Sequence, residues 1–220
     1  MECFIGSIHT RSVMSALPIT FKDDVELMEF AEKFIVNDRI ASLENDVERC
    51  IPADKKEAAE YAPFPALMYC FSIIDLLGSL YNGNARSGNT TDNSARYMEK
   101  YLRYPKDKLR LLQKIYRHKI VHLSQPKFAM LYNKQIIAWK HDERIPSRHL
   151  TIERKPADAA ILGSFGKIHC DAQYIVSIKA LKDDIKSSVA IYLGDLKNNA
   201  DLQSKFVTAI NQIYDPIVTD

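Results

Sequence analysis

The sequence lacks the features that mark several enzyme classes. Its four cysteines, Cys3, Cys50, Cys70 and Cys170, contain no C-x-x-C pair. A zinc ribbon or a dithiol redox centre therefore has no ligand set. No H-E-x-x-H occurs, and the neighbours His141, Asp142 and Glu143 cannot easily converge on one ion, so that segment reads as a solvated turn and no metal site is expected. Gly83 and Gly88 are not followed by the Lys-Ser/Thr of a phosphate-cradling loop. No Ser, Cys or paired-carboxylate arrangement suggests another kind of hydrolase, and no cofactor is expected. An excess of one charge is missing too: 30 basic residues face 28 acidic ones, for a net +2. That balance argues against a strongly electropositive nucleic-acid clamp, while leaving room for recognition by a few Arg, His and Lys side chains. Glu2, His9 and Arg11 interrupt the N-terminus, which does not read as a signal peptide. The most apolar stretch, residues 64–81, contains Asp75 and falls slightly short of the ~20 residues that span a bilayer, so it is expected to be a buried core helix. Unpaired cysteines without a leader point to a reduced, cytoplasmic protein.

Hydrophobic residues make up 46% and charged residues 26% of the 220, enough for a sizeable core in one domain. Residues 1–21 read as an N-terminal extension. From Lys22 to about Cys50, apolar residues recur at three to four, predicting a long amphipathic helix with a break near Asn37-Asp38, Asp23 and Asp24 in its first turn, and Pro52 as its stop. Residues 52–63 form a connector. A second helix opens after Pro65 and is apolar nearly all round, which places it centrally or at a subunit interface. Residues 82–95 read as a loop, with Thr90, Thr91 or Asn93 as the cap of a helix over 93–103. A further helix is expected over 106–123, between Pro105 and Pro126. Residues 128–139 then alternate around Asn133-Lys134, as a hairpin does, and 150–152 and 166–168 add short strands. Helical spacing returns from Ala172 to about Leu193, and a last helix covers 199–214. The fold class expected is mainly α, an up-down helical bundle with a small β-hairpin or meander insertion around 128–170, all in a single domain over 1–220. Trp139, with Tyr132 and Phe128, reads as packing for that insertion rather than as a base-stacking platform.

The chemistry-bearing segment is the end of the 106–123 helix. Leu109, Leu112, Tyr116, Ile120 and Leu123 form its core stripe. His118 and His122 lie one turn apart on another face, beside Leu111 and Ile115. Arg117 lies about 140° around the helix from His122. Either the last turn unwinds before Pro126, or a site combines residues from two chains. Asp75, alone among apolar residues, is either hydrogen-bonded to a neighbouring element or a carboxylate that orients Arg117 or a His.

Arg117-His118-Lys119-Ile120-Val121-His122 resembles the signature of the HEPN superfamily, an Arg followed after four to six residues by a His at the end of a core helix. His118 occupies the polar slot after the Arg. The preceding apolar helix with Asp75, the polar loop and the short helix before the motif are similar to some bacterial members. The likeness covers roughly residues 22–126, with the later helices in outline; the insertion at 128–170 is outside the minimal family pattern. A second spacing match, Arg144 to His149, contains Pro146 and makes a poor helix.

The resemblance implies a metal-independent endoribonuclease, cleaving RNA to 2′,3′-cyclic phosphate ends, in a toxin or defence role. His122 would transfer protons, Arg117 would hold phosphate oxygens, His118 would orient phosphate or the other His, and Asp75 and Lys119 would assist. The implied partners are RNA, a second copy of the chain with Leu111 and Ile115 at the interface, and an antitoxin or other protein; no membrane is implied. A basic helix end also stabilises itself through the helix dipole. The alternatives are therefore a non-catalytic HEPN-like dimeric interaction or nucleotide-binding protein, and a ligand-binding protein with its pocket between the helices and the β insertion.

Overall fold

The structure is a computed structural model that describes residues 18–52, 61–86, 88–117, 129–143, 146–161 and 166–215. It is mostly helical, with one small mixed sheet. Helix α1 (Asp24–Glu32) runs without a break through a π-type segment (Lys33–Ile40) into α2 (Ala41–Cys50). Asp23 starts it, accepting a hydrogen bond from the Glu26 backbone N–H at 2.9 Å. The break expected near Asn37-Asp38 is the π-type segment, where widened hydrogen bonding shifts the register without ending the helix.

Helix α3 (Pro63–Asn82) begins three residues earlier than expected, with Pro63 in its first turn, and ends at Gly83 with φ 70°. By length and composition it could cross a membrane. Here Leu67, Phe71, Ile74, Leu77 and Leu80 are instead buried in the protein's own core, so the central reading holds. Helix α4 (Thr90–Tyr97) continues into a π-type segment (Met98–Leu102). It starts before the expected position, and no side chain caps it. The cap candidates are used elsewhere: Thr91 accepts a hydrogen bond from Arg117, and Asn93 is buried, donating to the Asn84 carbonyl at 2.7 Å. Helices α3 and α4 cross closely. A Cβ on Gly78 would lie 2.6 Å from the Asn93 carbonyl carbon.

Helix α5 (Lys106–Leu111) follows a short turn at 103–105 and passes into a third π-type segment (Leu112–Arg117). Residues 90–117 thus form a helical hairpin. Its inner side is aromatic: Tyr97 and Tyr101 pack edge-on against Tyr192 of the later helix α6 (Ile178–Lys197), at 6.0 and 5.5 Å between centroids.

The sheet runs β1 (Ala129–Tyr132), β2 (Gln135–His141), β4 (Gly166–Val176), β3 (Thr151–Ile161) in spatial order. The hairpin at Asn133-Lys134 is as expected, with both residues at positive φ (48° and 63°), the requirement of a two-residue turn matched to strand twist. Strands β2 and β4 are parallel, and β3 and β4 antiparallel. Between Arg154 and Ala157 the β3–β4 register shifts by one residue, a bulge that contains Pro156. The sheet is larger than the short strands expected, and it corrects the reading of 172–177 as helix. Tyr174, Ile175 and Val176 are all buried in β4, and a short apolar run of this kind has no period that separates strand from helix. Helix α6 begins only at Ile178, capped by Ser177, which accepts from the Ala180 N–H at 3.1 Å. Helix α7 (Ala200–Tyr214) agrees with expectation and is capped by Asn199.

Two tyrosines fasten the sheet to the 106–117 helix. Tyr116 donates to the Lys140 carbonyl at 3.0 Å, and Tyr174 donates to the Lys108 carbonyl at 3.0 Å. Trp139 packs edge-on against Phe64 of α3 and Tyr116, so it serves packing as expected.

Candidate functional site

Arg117 closes the described part of the 106–117 helix and is only 7% exposed. Its guanidinium meets Asp75 of α3 side-on: Nε donates to Oδ1 and Nη2 to Oδ2, each at 2.8 Å. Nη1 donates to Thr91 Oγ1 of α4, also at 2.8 Å. All three guanidinium nitrogens are therefore engaged within the chain. The two planar groups match in a two-pronged pair, the strongest form of this contact. Burial pushes the Asp75 carboxyl up from its ordinary range, opposed by the hydrogen bonds and charge of Arg117 and by Ser94. Gln113 adds a bond from its side-chain amide to the Thr91 carbonyl at 3.1 Å. One helix end is thus bolted to two other helices.

Of the sequence-derived site residues, the structure brings Arg117 and Asp75 together. Both readings of Asp75, a partnered buried carboxylate and an orienter of Arg117, describe the same bond. His118, Lys119 and His122 lie outside the described residues, as do Ile120 and Leu123 of the expected core stripe. Leu109, Leu112 and Tyr116 of that stripe are buried. Leu111 and Ile115 do not fit the role of interface residues: each is fully buried within the chain. The π-type hydrogen bonding of 112–117 shifts the helix register, so faces that a regular helix would keep apart both turn inward.

The segment 141–143 is not a solvated turn. Asp142 is buried and pairs with Lys140 and Arg148 at 3.4 and 3.2 Å. Arg148 also pairs with Glu153. Glu143 caps α6, accepting from the Ile178 and Lys179 backbone N–H groups at 2.7 and 3.0 Å and from the Ser177 hydroxyl at 3.0 Å. Its charge faces the positive end of the helix dipole. His141 stacks on Trp139, and burial lowers its pKa.

Sequence reading missed a buried relay around His149. Its Nδ1 accepts from the Ser177 backbone N–H at 3.1 Å, which leaves the ring proton on Nε2. Nε2 lies 3.2 Å from the Tyr104 hydroxyl, which donates to Asp184 Oδ2 at 2.7 Å. Burial lowers the His149 pKa to about 4, so the ring is neutral near pH 7. Nothing in the sequence announces this set, because Tyr104, His149 and Asp184 meet only through the tertiary fold.

Among the described residues, no group of three or more His, Cys, Asp or Glu side chains converges as metal ligands do. Among the described residues, grooves of about 500–570 Å³ lie between helices, one of them beside Pro18 and Ile19. Comparison with family models, curated proteins and solved structures finds no match to this chain.

Proposed function

We propose that the chain is a HEPN-like, metal-independent endoribonuclease in which Arg117 is a positioning residue and the His118 and His122 imidazoles transfer the protons. The observation that carries this reading is the buried, two-pronged Arg117–Asp75 pair at the first residue of the motif. A solvated basic helix end needs no such partner. A buried ion pair is a poor way to gain stability compared with apolar packing, and its best-attested use is to fix a unique arrangement. Here it anchors the start of Arg117-x4-His122 to α3 and α4.

In the reaction, one imidazole takes the proton of a ribose 2′-hydroxyl as that oxygen bonds to the adjacent phosphorus. The other, as imidazolium, protonates the departing 5′-oxygen as its bond to phosphorus breaks. The products are a 2′,3′-cyclic phosphate and a 5′-hydroxyl end. Imidazole titrates near neutral pH and suits both roles. Asp75 offsets the charge of Arg117, so Lys119 is the better candidate to stabilise the extra charge on the phosphorane. A homodimer, an antitoxin-like protein partner and a cytoplasmic setting belong to the same reading.

A second reading is favoured by the engagement of every guanidinium nitrogen within the chain. In it the same scaffold has no catalysis and acts as a dimeric interaction or nucleotide-binding protein. Incubating RNA with the protein in EDTA separates the two. The enzyme reading expects cyclic-phosphate ends from wild type and none from His122→Ala. Equal cleavage by both, or cleavage by neither, removes it.

A further inference from the structure

The near-neutral whole conceals a strong local imbalance. Residues 90–117, the helical hairpin, hold eight Lys or Arg against three Asp or Glu, a net +5, while the rest of the chain sums to −3 against the overall +2. Six of those cations are exposed; Lys108 is half-buried and Arg117 is buried. Their spacing is helical. Arg96 and Lys100 share a face of the first helix, and Arg103 follows at its end. Lys106, Arg110 and Lys114 recur every fourth residue along the second.

Most of these outward cations lack a neutralising neighbour. Elsewhere about half of the described cations, Arg39, Arg49, Lys186 and Lys205 among them, have a carboxylate within 4 Å. On the hairpin, Lys106 and Lys108 pair with Glu99 and Asp107. Arg96, Lys100, Arg103, Arg110 and Lys114 have no carboxylate partner among the described residues. Arg96 and Lys100, with Glu99, also line a groove of about 550 Å³ that includes Lys205 of α7. In the sequence, Lys114 lies three residues before the Arg117 that opens the motif.

We propose that the outward face of the hairpin, through Arg96, Lys100, Arg103, Arg110 and Lys114, is a docking surface for the phosphate backbone of single-stranded RNA. The choice of RNA over another polyanion rests on the nuclease reading; the demand for a polyanion does not. Unpaired, exposed cations in rows release counterions when phosphates replace the salt around them. Neutralising about four phosphates gives a log-log salt slope of about −3, so a fourfold rise in salt weakens binding about fifty-fold. The surface carries no base-reading geometry, and binding through it is insensitive to sequence.

The test uses fluorescence anisotropy with a short, fluorescein-labelled, mixed-sequence RNA strand. Binding is measured across a salt series on His122→Ala, and on the same chain with Arg96→Gln, Arg110→Gln and Lys114→Gln added. The three sites are exposed, and circular dichroism checks that the fold survives. The expected result is a salt slope smaller in magnitude by about 2 in the triple-Gln chain, with at least a tenfold loss of affinity at low salt. Absence of RNA binding by the parent chain, or equal affinity and slope in the two chains, overturns the proposal. So does competition by poly-glutamate at matched charge as strong as that of unlabelled RNA, which points to an acidic protein partner. RNA that is docked through this face but never cut by the wild-type chain supports the surface while removing the nuclease reading.

Discussion

Replacing Asp75 with Leu, alone and together with Arg117→Met, tests whether the pair acts as a unit. Alone, Asp75→Leu leaves a guanidinium that is 7% exposed without its counter-charge. Removing one partner of a fully buried pair costs ~3–5 kcal/mol, whereas replacing both by apolar residues of similar volume is often neutral or better. Asp75 retains 20% side-chain exposure, so some water reaches the pair and the loss is discounted to about 2–4 kcal/mol. Arg117→Met alone leaves the carboxylate buried and costs a similar amount. The double variant keeps the volume and removes both charges, so its loss is expected to be about 1 kcal/mol or less. The coupling between the sites is then at least about 3 kcal/mol. Urea denaturation followed by circular dichroism gives the three differences, provided the m-values stay constant. Single-variant losses that simply add in the double variant would refute the view of Arg117 and Asp75 as one interlocked element.

The remaining expectations concern other parts of the fold. His149 has its folded pKa depressed to about 4 from the ordinary 6.5. Below pH 6.5 the unfolded chain therefore binds a proton that the folded chain refuses, and stability drops by about 3 kcal/mol between pH 7 and pH 4. His149→Asn should remove that share of the pH dependence in urea titrations at the two ends of the window. Gly78→Ala places a methyl 2.6–2.7 Å from the Asn93 and Ser94 backbone and should cost about 2–3 kcal/mol, read as a fall in Tm. Lys134→Gly relieves a non-glycine residue at φ 63° in the tight β1–β2 turn and should add about 0.5–1 kcal/mol, read as a rise in the urea midpoint. Glu143→Gln keeps the shape of the α6 cap but removes its charge, and should cost about 0.5–1 kcal/mol by the same measurement.

Helix existence was largely legible in the sequence, because long amphipathic or all-apolar stretches such as 24–50 and 63–82 declare themselves by period and by Pro and Gly at their ends. The hairpin at Asn133-Lys134 was legible for the same local reason. What escaped was set by tertiary structure. Strand β4 packs Tyr174, Ile175 and Val176 inside, and the boundary with α6 depended on Ser177, a cap that the apolar spacing running through it obscured. Of the three π-type segments only the first showed in the sequence, as the break near Asn37-Asp38; the other two left no periodic trace, and Leu111 and Ile115, at and beside the last, are buried in the core. At the candidate site, a lone Asp in an apolar helix was a usable signal, since a buried carboxylate needs a partner and Arg117 supplies it. Thr91 was visible only as a helix cap, a task it does not perform. The acid of the α6 cap and the His149 relay join residues too far apart along the chain for spacing to reveal them.

The bulge in β3 bears on how copies of this chain can meet. An open strand edge is an invitation to pair with another molecule, and β3 is one margin of the sheet. That margin is guarded: Arg154, Lys155 and Pro156 are exposed in succession, the kink falls between Arg154 and Ala157, and proline has no N–H to offer an incoming strand. The opposite margin, β1, is four residues long and too short to template a stable extension, although Leu131 is 73% exposed there. Self-association by strand addition is therefore discouraged along β3.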